Sequence, residues 1–529
     1  QAAAELAGQP PNLADGAGRT WTKRRIELDP SCLQMVERLA EQNGESLSRT
    51  LRHVIAAFMK ESGLDDRAAG VAPASGSAHD APRIATGHRS SGRLISSLRA
   101  VVLLALIAVP ASGIAWMLNE SSEQGPTLIS APAWADQSAY ILFDHHTHTT
   151  FSDGTLEVAE LVDLARKAGC NAIAISDHAD ADKTLSAAQF DALRRVRRRQ
   201  TGFLLFGGVE INMPSYGKRE HVTVIVPPDI EEAVLPSLRG AAETSRTEVK
   251  RTFGREQLDN SFLELAASYQ ERGDRLVMIY NHPSREDKKA LENYEDITRW
   301  NANAPLFIGF AGAPGHQNAK DLGSYKKPLL PIDRWDPVVA EVGGTWDRLL
   351  SEGYQLWGAI AGSDFHNTKR DKIPCNFSRT HVAAPGFTYE AILDALRAGT
   401  FWADHGRILQ HLSLSAEIDG LTAPVFPGSV VSLGGSDKLI LARLDLERGP
   451  GAEAAPLTVE FIGNCRTGET ETLAAQELPP GTTSTTLALA AAAHGTDRRS
   501  CFLRARVRRV IDDLPDLMAY TNPIRFVLR

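Results

Sequence analysis

The chain has 529 residues, 43% hydrophobic and 23% charged, an ordinary globular balance with ample core to bury and more length than one domain uses. Its net charge of -8 excludes a surface that is basic throughout, as a protein coating nucleic acid would need, and leaves local patches open. The five cysteines, Cys32, Cys170, Cys375, Cys465 and Cys501, form no CxxC pair, which argues against a structural zinc finger.

The chain begins with Gln1, not Met, so a processed or incomplete start is expected. Residues 1–64 read as a small, α-rich unit. Lys23, Arg24 and Arg25 precede a strand-like run with Ile26 and Leu28. Asp29-Pro30 reads as an N-cap and first helical residue. Leu33, Val36, Leu39 and Ala40 form one apolar stripe, which Asn43-Gly44 ends. A second helix begins near Ser46 or Ser48, with Leu51, Val54, Ile55 and Phe58 on one face. This strand-helix-helix order resembles the ribbon-helix-helix DNA-binding dimers, so nucleic acid is a partner only through residues 20–63. A plain helical hairpin and a non-native leader are the other readings.

Residues 65–99 read as a flexible linker rich in Ala, Gly, Ser, Pro and Asp. The uncharged apolar run 101–118 follows Arg83, Arg89, Arg93 and Arg99 and precedes Glu120 and Glu123, so the basic side stays in the cytoplasm. Segment 100–118 is either a transmembrane helix, with Pro110 and Gly113 inside it, or a signal core with a cleavage pattern at Ala133-Trp134-Ala135. A buried soluble helix is the third reading. Both exported readings make the rest of the chain periplasmic or otherwise extracytoplasmic, after a linker over 119–139, and anchored in the inner membrane if uncleaved. In an exported chain Cys465 and Cys501 could form a disulfide; two separate thiols are the alternative.

Between 140 and 405, short β-rich runs alternate with helical stretches. The runs are 140–144, 171–177, 203–210, 222–226, 276–280, 306–310 and 357–360. Seven strands, most separated by helical or longer segments, predict an α/β domain with a parallel, barrel-like sheet. Beyond Gly406 the runs 439–446, 457–462, 502–510 and 524–528 carry strand patterns and Gly/Pro turns. They predict an all-β, sandwich-like domain over 406–529.

The chemistry-bearing residues sit at the ends of the apolar runs. In Asp144-His145-His146-Thr147-His148-Thr149-Thr150-Phe151-Ser152-Asp153-Gly154, an extended backbone puts His146 and His148 on one face and His145 on the other. Two imidazoles at a strand end can hold one divalent ion. A turn favoured by Ser152 and Gly154 can return Asp153 to the same pocket. The next runs end in Ser176-Asp177-His178, in Val209-Glu210, and in Asn281-His282-Pro283; Glu220-His221 opens another, and 359–366 ends in Asp364-Phe365-His366. Barrel enzymes gather ligands at the C-terminal ends of their strands. Six of the fifteen histidines fall at these positions, a joint pattern hard to obtain by chance.

HxHTxxSDG, the DH after a hydrophobic strand, GVE, a later His, NHP and GSDxH together resemble the polymerase and histidinol phosphatase (PHP) superfamily, in the family's order, over residues 140–405. The resemblance implies a distorted seven-stranded (β/α) barrel with two or three divalent ions, Zn, Mn or Fe, up to a trinuclear site. It implies that His146 and His148 bind a first metal with Glu210 and Asp364. Asp153, His178 and His366 would bind a second, and Glu210 would bridge to a third held with His221 and His282. Close-set ions lower the pKa of a bridging water and give hydroxide near neutral pH. Asp177 is a candidate acid, although orienting the His178 neighbourhood is its favoured role. His316, in the glycine-rich run 312–317, is either a substrate contact over the barrel mouth or an exposed loop histidine. Asp404-His405 could approach the site, with a domain junction favoured, and the arginines of 194–199 read as a solvated helix face.

Size and the lack of polymerase segments exclude the polymerase branch, and the β-rich C-terminal part fits a cytosolic histidinol phosphatase poorly. The stretches 398–401 and 519–524 look more like the exported branch that includes carbaryl-type carbamate hydrolases. A small-molecule phosphoester is the first expected substrate; a carbamate, ester or amide is the alternative. A membrane-tethered DNA-binding or sensory protein whose barrel only binds ligand is the reading from another class.

Overall fold

The computed structural model describes residues 125–134, 139–213, 221–248, 260–285, 290–303, 307–318, 320–325, 332–434, 438–450, 452–491 and 500–528. The expected N-terminal unit 1–64, the linker 65–99 and the apolar segment 100–118 lie outside the described residues. Among those described, no helix is long and apolar enough to cross a membrane.

After an edge strand, β1 (Thr127–Ser130), the chain runs β2 (Ile141–Thr147), α1 (Val158–Lys167), β3 (Ala172–Ile175), α2 (Ala187–Arg199), β4 (Leu204–Asn212) and β5 (His221–Val226). It continues through α3 (Glu231–Glu248), α4 (Asn260–Glu271), β6 (Val277–Tyr280), α5 (Ala290–Asn303), β7 (Phe307–Phe310), α6 (Pro337–Ala340) and α7 (Thr345–Ser351). β8 (Ser378–Val382), α8 (Tyr389–Ala398) and β9 (Phe401–His405) follow. β3, β6 and β7 are apolar and buried along their whole length, as strands covered on both faces must be. The helices are one-sided. α1 buries Val158, Leu161, Val162 and Ala165, opens with a Glu157–Glu160 capping box and ends in Arg166 and Lys167, which suit the helix dipole.

The sheet is mixed, a correction to the parallel arrangement expected. β2–β3, β3–β4 and β6–β7 are parallel, whereas β4–β5 and β5–β6 are antiparallel. The link from β4 to β5 is too short for the crossover that a parallel pair needs, so β5 turns back on β4. The run 357–360 is not a regular strand. Trp357 bridges Gly309, Ala361 bridges Ala313, and Phe365 bridges Thr147. This irregular segment connects β7 on one side to β2 on the other. The approach is closest at two glycines: a Cβ on Gly358 would lie 2.9 Å from the Trp346 ring, and one on Gly309 1.9 Å from the Trp357 carbonyl oxygen. β8 and β9, unforeseen from sequence, pair antiparallel with each other, and β8 pairs antiparallel with β2.

Beyond Gly406 the described elements are all strands: β10 (Leu409–Ile418), β11 (Val430–Ser432), β12 (Lys438–Arg448), β13 (Leu457–Gly463), β14 (Glu471–Leu478), β15 (Ser484–Ala491), β16 (Ser500–Arg509), β17 (Leu517–Thr521) and β18 (Ile524–Val527). The fold is thus mixed α/β with extensive C-terminal β structure. β10, β12 and β15 form a separate three-stranded sheet. Its register sets Leu412 opposite Leu446, Leu414 opposite Leu444 and Ile418 opposite Ile440. These side chains share one core with Val459, Phe461, Leu503, Ala505 and Phe526 of the facing layer, the two-layer logic of a sandwich. The facing layer is not hydrogen-bonded apart from the rest: β17 pairs with β9, so one sheet path runs from β1 to β7. Disulfides join Cys465 to Cys501 and, unforeseen, Cys170 to Cys375.

Candidate metal centre

The end of β2 delivers the first candidate ligands. Asp144 Oδ1 accepts from the His146 amide at 3.1 Å, and both its oxygens accept from Ser363 N, which ties this strand end to the 363–366 segment. The His148 amide donates to Phe365 O at 2.9 Å. The chain then turns tightly at Gly154, where a Cβ would lie 2.4 Å from His148 O, and Asp153 swings back beside the strand. Parallel bridging between His178 and Glu210 sets the ends of β3 and β4 side by side. Three non-glycine residues around the centre have positive φ: His282 (31°), His316 (58°) and Asp364 (49°), a concentration of backbone strain of the kind functional sites store.

All nine side chains carried over from the family pattern converge. His146 Nε2 lies 3.1 Å from Glu210 Oε1 and 3.2 Å from Asp364 Oδ1. His148 Nε2 lies 3.4 Å from Glu210 Oε2 and 3.1 Å from Asp364 Oδ1. Asp153 lies 3.2 Å from His366 Nε2 and 3.7 Å from His178 Nε2. Glu210 is common to the rest, with His221 Nδ1 at 3.0 Å, His178 Nδ1 at 3.1 Å and His282 Nε2 at 3.6 Å. His146 Nε2 and His148 Nε2 are buried and make no hydrogen bond, although carboxylate oxygens stand close by. That spacing fits shared coordination: ligand atoms about 2.0–2.1 Å from one ion lie about 3.0–3.4 Å from one another. The imidazole and carboxylate donors suit Zn, Mn or Fe.

The electrostatics are those of a cation site. Burial opposes charge on Glu210 and Asp364, but the surrounding imidazoles hold both carboxyls well below their usual range. Burial also opposes a charged His146, yet Asp364 and Glu210 raise it to about 9. Burial lowers His148 to about 4. The centre has an open side: the Asp153 side chain is 56% exposed and that of His178 25%, while His148 and Glu210 are almost fully enclosed.

Other sequence candidates divide. Asp177 is fully buried. Its oxygens accept from Thr149 N (2.7 Å), Thr149 Oγ1 (2.7 Å), Ser152 Oγ (2.6 Å) and Gln189 Nε2 (2.8 Å). Four bonds saturate the carboxylate, so it orients the Thr149–Ser152 turn and has no face for a leaving group. His316 joins the centre, with Nε2 3.0 Å from Asp364 Oδ2. The glycine-rich run brings it there because a Cβ on Gly315 would meet that of Asp364 at 1.9 Å. His145 is buried and packed against Gly362. Asp404 of β9 pairs with Arg379 and His381 of the adjacent strand β8. Arg194 and Arg197 of α2 are paired with Asp191 and Glu231.

Two contributors went unassigned in the sequence. Asn281 donates from Nδ2 to Glu210 Oε1 at 2.9 Å and to Thr223 Oγ1 at 2.7 Å; its place directly before His282 at the end of an apolar strand was the available signal. Asp371 lies five residues after His366 in a polar turn with no periodic signature.

The PHP domain model matches residues 144–304, the stretch that supplies His146 to His282. An uncharacterized protein of Methanocaldococcus jannaschii is 31% identical over 176 residues, covering 33% of this chain and 69% of that protein. The chain belongs to the PHP family. Among solved structures, this PHP chain is similar to a two-domain protein from Bacteroides vulgatus containing a predicted PHP-like metal-dependent phosphoesterase, at 15% identity and a TM-score of 0.35, over 77% of this chain and 99% of that one. It is also similar to an amidohydrolase from Chromobacterium violaceum, at 19% identity and a TM-score of 0.27, over 43% of this chain and 89% of that one. Likenesses this distant carry nothing about activity.

Proposed function

We propose that this PHP chain is a metal-dependent hydrolase of phosphoesters, with two or three divalent ions held by His146, His148, Asp153, His178, Glu210, His221, His282, Asp364 and His366. The observation that carries this reading is Glu210, whose two oxygens stand within 3.0–3.6 Å of five imidazoles. A carboxylate so surrounded can join adjacent ion positions. Bound ions would supply Lewis acidity and an activated water. The chain's own residues do the rest. Asp364 and Glu210 fix the buried His146–His148 side, the open Asp153–His178 side admits the substrate, and His316 reaches the centre from the loop after β7 as a substrate contact. β2 to β7 with the bridged segment 357–365 are, in this reading, the family's distorted seven-stranded barrel, within a domain over 140–405 followed by a β domain over 406–529. Two disulfides support an extracytoplasmic location, since such bonds persist in oxidising compartments.

The test is turnover by the full chain, loaded with Mn or Zn, of a chromogenic phosphomonoester, a phosphodiester and a carbamate. Phosphoester turnover is expected, and His146→Ala should lower it by more than the about 10–100-fold typical of outer partners. Preference for the carbamate would remove the phosphoester assignment. Full activity in His146→Ala would remove the metal assignment as a whole.

A further inference from the structure

Asp371 is buried, and both of its oxygens are used. Oδ1 accepts from His316 Nδ1 at 2.8 Å and from Arg370 Nε at 3.0 Å. Oδ2 accepts from the backbone amides of His366 at 2.7 Å and Asn367 at 3.0 Å. The carboxylate thereby anchors to the main chain beside His366 and pins the far nitrogen of the His316 ring. The His316 amide is itself held by Ser363 O at 3.1 Å. Ring and backbone together fix the ring's orientation: Nδ1 points at Asp371 Oδ1, and Nε2 faces Asp364 Oδ2 at 3.0 Å.

A carboxylate on the distal nitrogen of an imidazole is the arrangement that sets ring orientation and basicity wherever histidine works on a metal or a substrate. An exposed loop histidine needs no such partner, and the strain of a positive φ at His316 would have nothing to offset it. We propose that Asp371 is a positioning residue of the centre, acting through His316, which it holds with Nε2 toward the reacting group. The proposal rests on the metal-hydrolase reading for its kinetic part; its spectroscopic part does not.

The experiment uses the full chain with histidine-selective nitrogen-15 labelling. The His316 Nδ1 proton shared with Asp371 should give a strongly downfield, slowly exchanging resonance, with or without metal. It should vanish in both Asp371→Asn and His316→Gln. Absence of such a signal in the wild type overturns the dyad, whatever the chain hydrolyses. On the phosphoester that the wild type turns over, each substitution should lower kcat by about 30-fold or more with KM within about threefold. Metal content should be unchanged. Combining Asp371→Asn with His316→Gln should cost no more than the worse single change, because one acts through the other. Multiplying effects, or metal loss in Asp371→Asn alone, would mean that Asp371 serves only the His366 main chain, and would overturn the proposal. Should Asp371→Asn fail to fold, His316→Asn carries the test. Its amide can still donate to Asp371 but has nothing at the Nε2 position, so a folded variant with wild-type kcat overturns the proposal and a folded, slow one upholds it. A wild type that binds no metal and turns over no substrate would remove the hydrolase reading and leave the resonance to judge the dyad.

Discussion

Replacing Asn281 by alanine should loosen the centre without removing any metal-facing atom. Its Nδ2 donates to Glu210 Oε1 at 2.9 Å, the oxygen that also faces His146 at 3.1 Å and His221 at 3.0 Å. Thr223 Oγ1, at 2.7 Å from the same amide, helps to fix its orientation. Without the amide, Glu210 can rotate and one of its oxygens loses a buried donor. A hydrogen bond to a charged group contributes about 1.5–3 kcal/mol. Loss of an outer partner costs about 10–100-fold in metal affinity, or about 1.4–2.8 kcal/mol, so the two routes agree. Asn281→Asp should be worse than Asn281→Ala, because it sets a second carboxylate against Glu210. Competition between the protein and a chelator for Zn measures both. Affinities within twofold of wild type in both variants would refute the idea that Asn281 orients Glu210.

Gly315→Ala should empty or distort the site, since the added Cβ would lie 1.9 Å from that of Asp364; metal analysis of the folded variant checks this, and a full complement would contradict it. Asp347→Ala should destabilise by about 3–5 kcal/mol, because it leaves Arg504 buried and without the carboxylate that it grips at 2.7 and 2.9 Å; urea midpoints read the change. Burial lowers His381 from 6.5 to about 4, against the opposing pull of Asp404, so the folded state favours the neutral ring. Its contribution is present above pH 6.5 and is lost as pH falls toward 4, about 3 kcal/mol in all. Melting in EDTA should therefore drop over that window, and His381→Phe should flatten the drop; an unchanged slope would count against it.

Apart from Asp153, which a turn places, the candidate ligands were legible because they lie at the ends or openings of short apolar runs, and an apolar run is what a sequence displays best. His146 and His148 needed only the two-residue period of a strand; Glu210, His282 and Asp364 needed only the rule that barrel ligands cluster at strand ends. Asp371 follows no run and acts through one hydrogen-bonded turn, so nothing periodic announced it. β8 and β9 escaped because Arg379, His381, Asp404 and His405 break the apolar pattern; in the fold the Arg379–Asp404 ion pair is buried, with His381 hydrogen-bonded to it. The segment 357–360 has a strand's composition, yet it makes only single bridges, with Gly358 against Trp346 and Gly309 of β7 against Trp357. The Cys170–Cys375 bond joins residues 205 apart in sequence, a separation that no local pattern spans. Cys465 and Cys501, 36 apart in the strand-rich C-terminal part, were near enough to be weighed as a pair.

Metal stoichiometry of the full chain, wild type against Glu210→Gln, tests the central claim most directly. Glu210 is common to both sides of the centre, so the wild type loaded with Zn or Mn should hold about two or three ions. The variant should lose more than one while keeping its fold by circular dichroism. A wild type that retains no ion, or a Glu210→Gln variant with the full complement, would contradict the account.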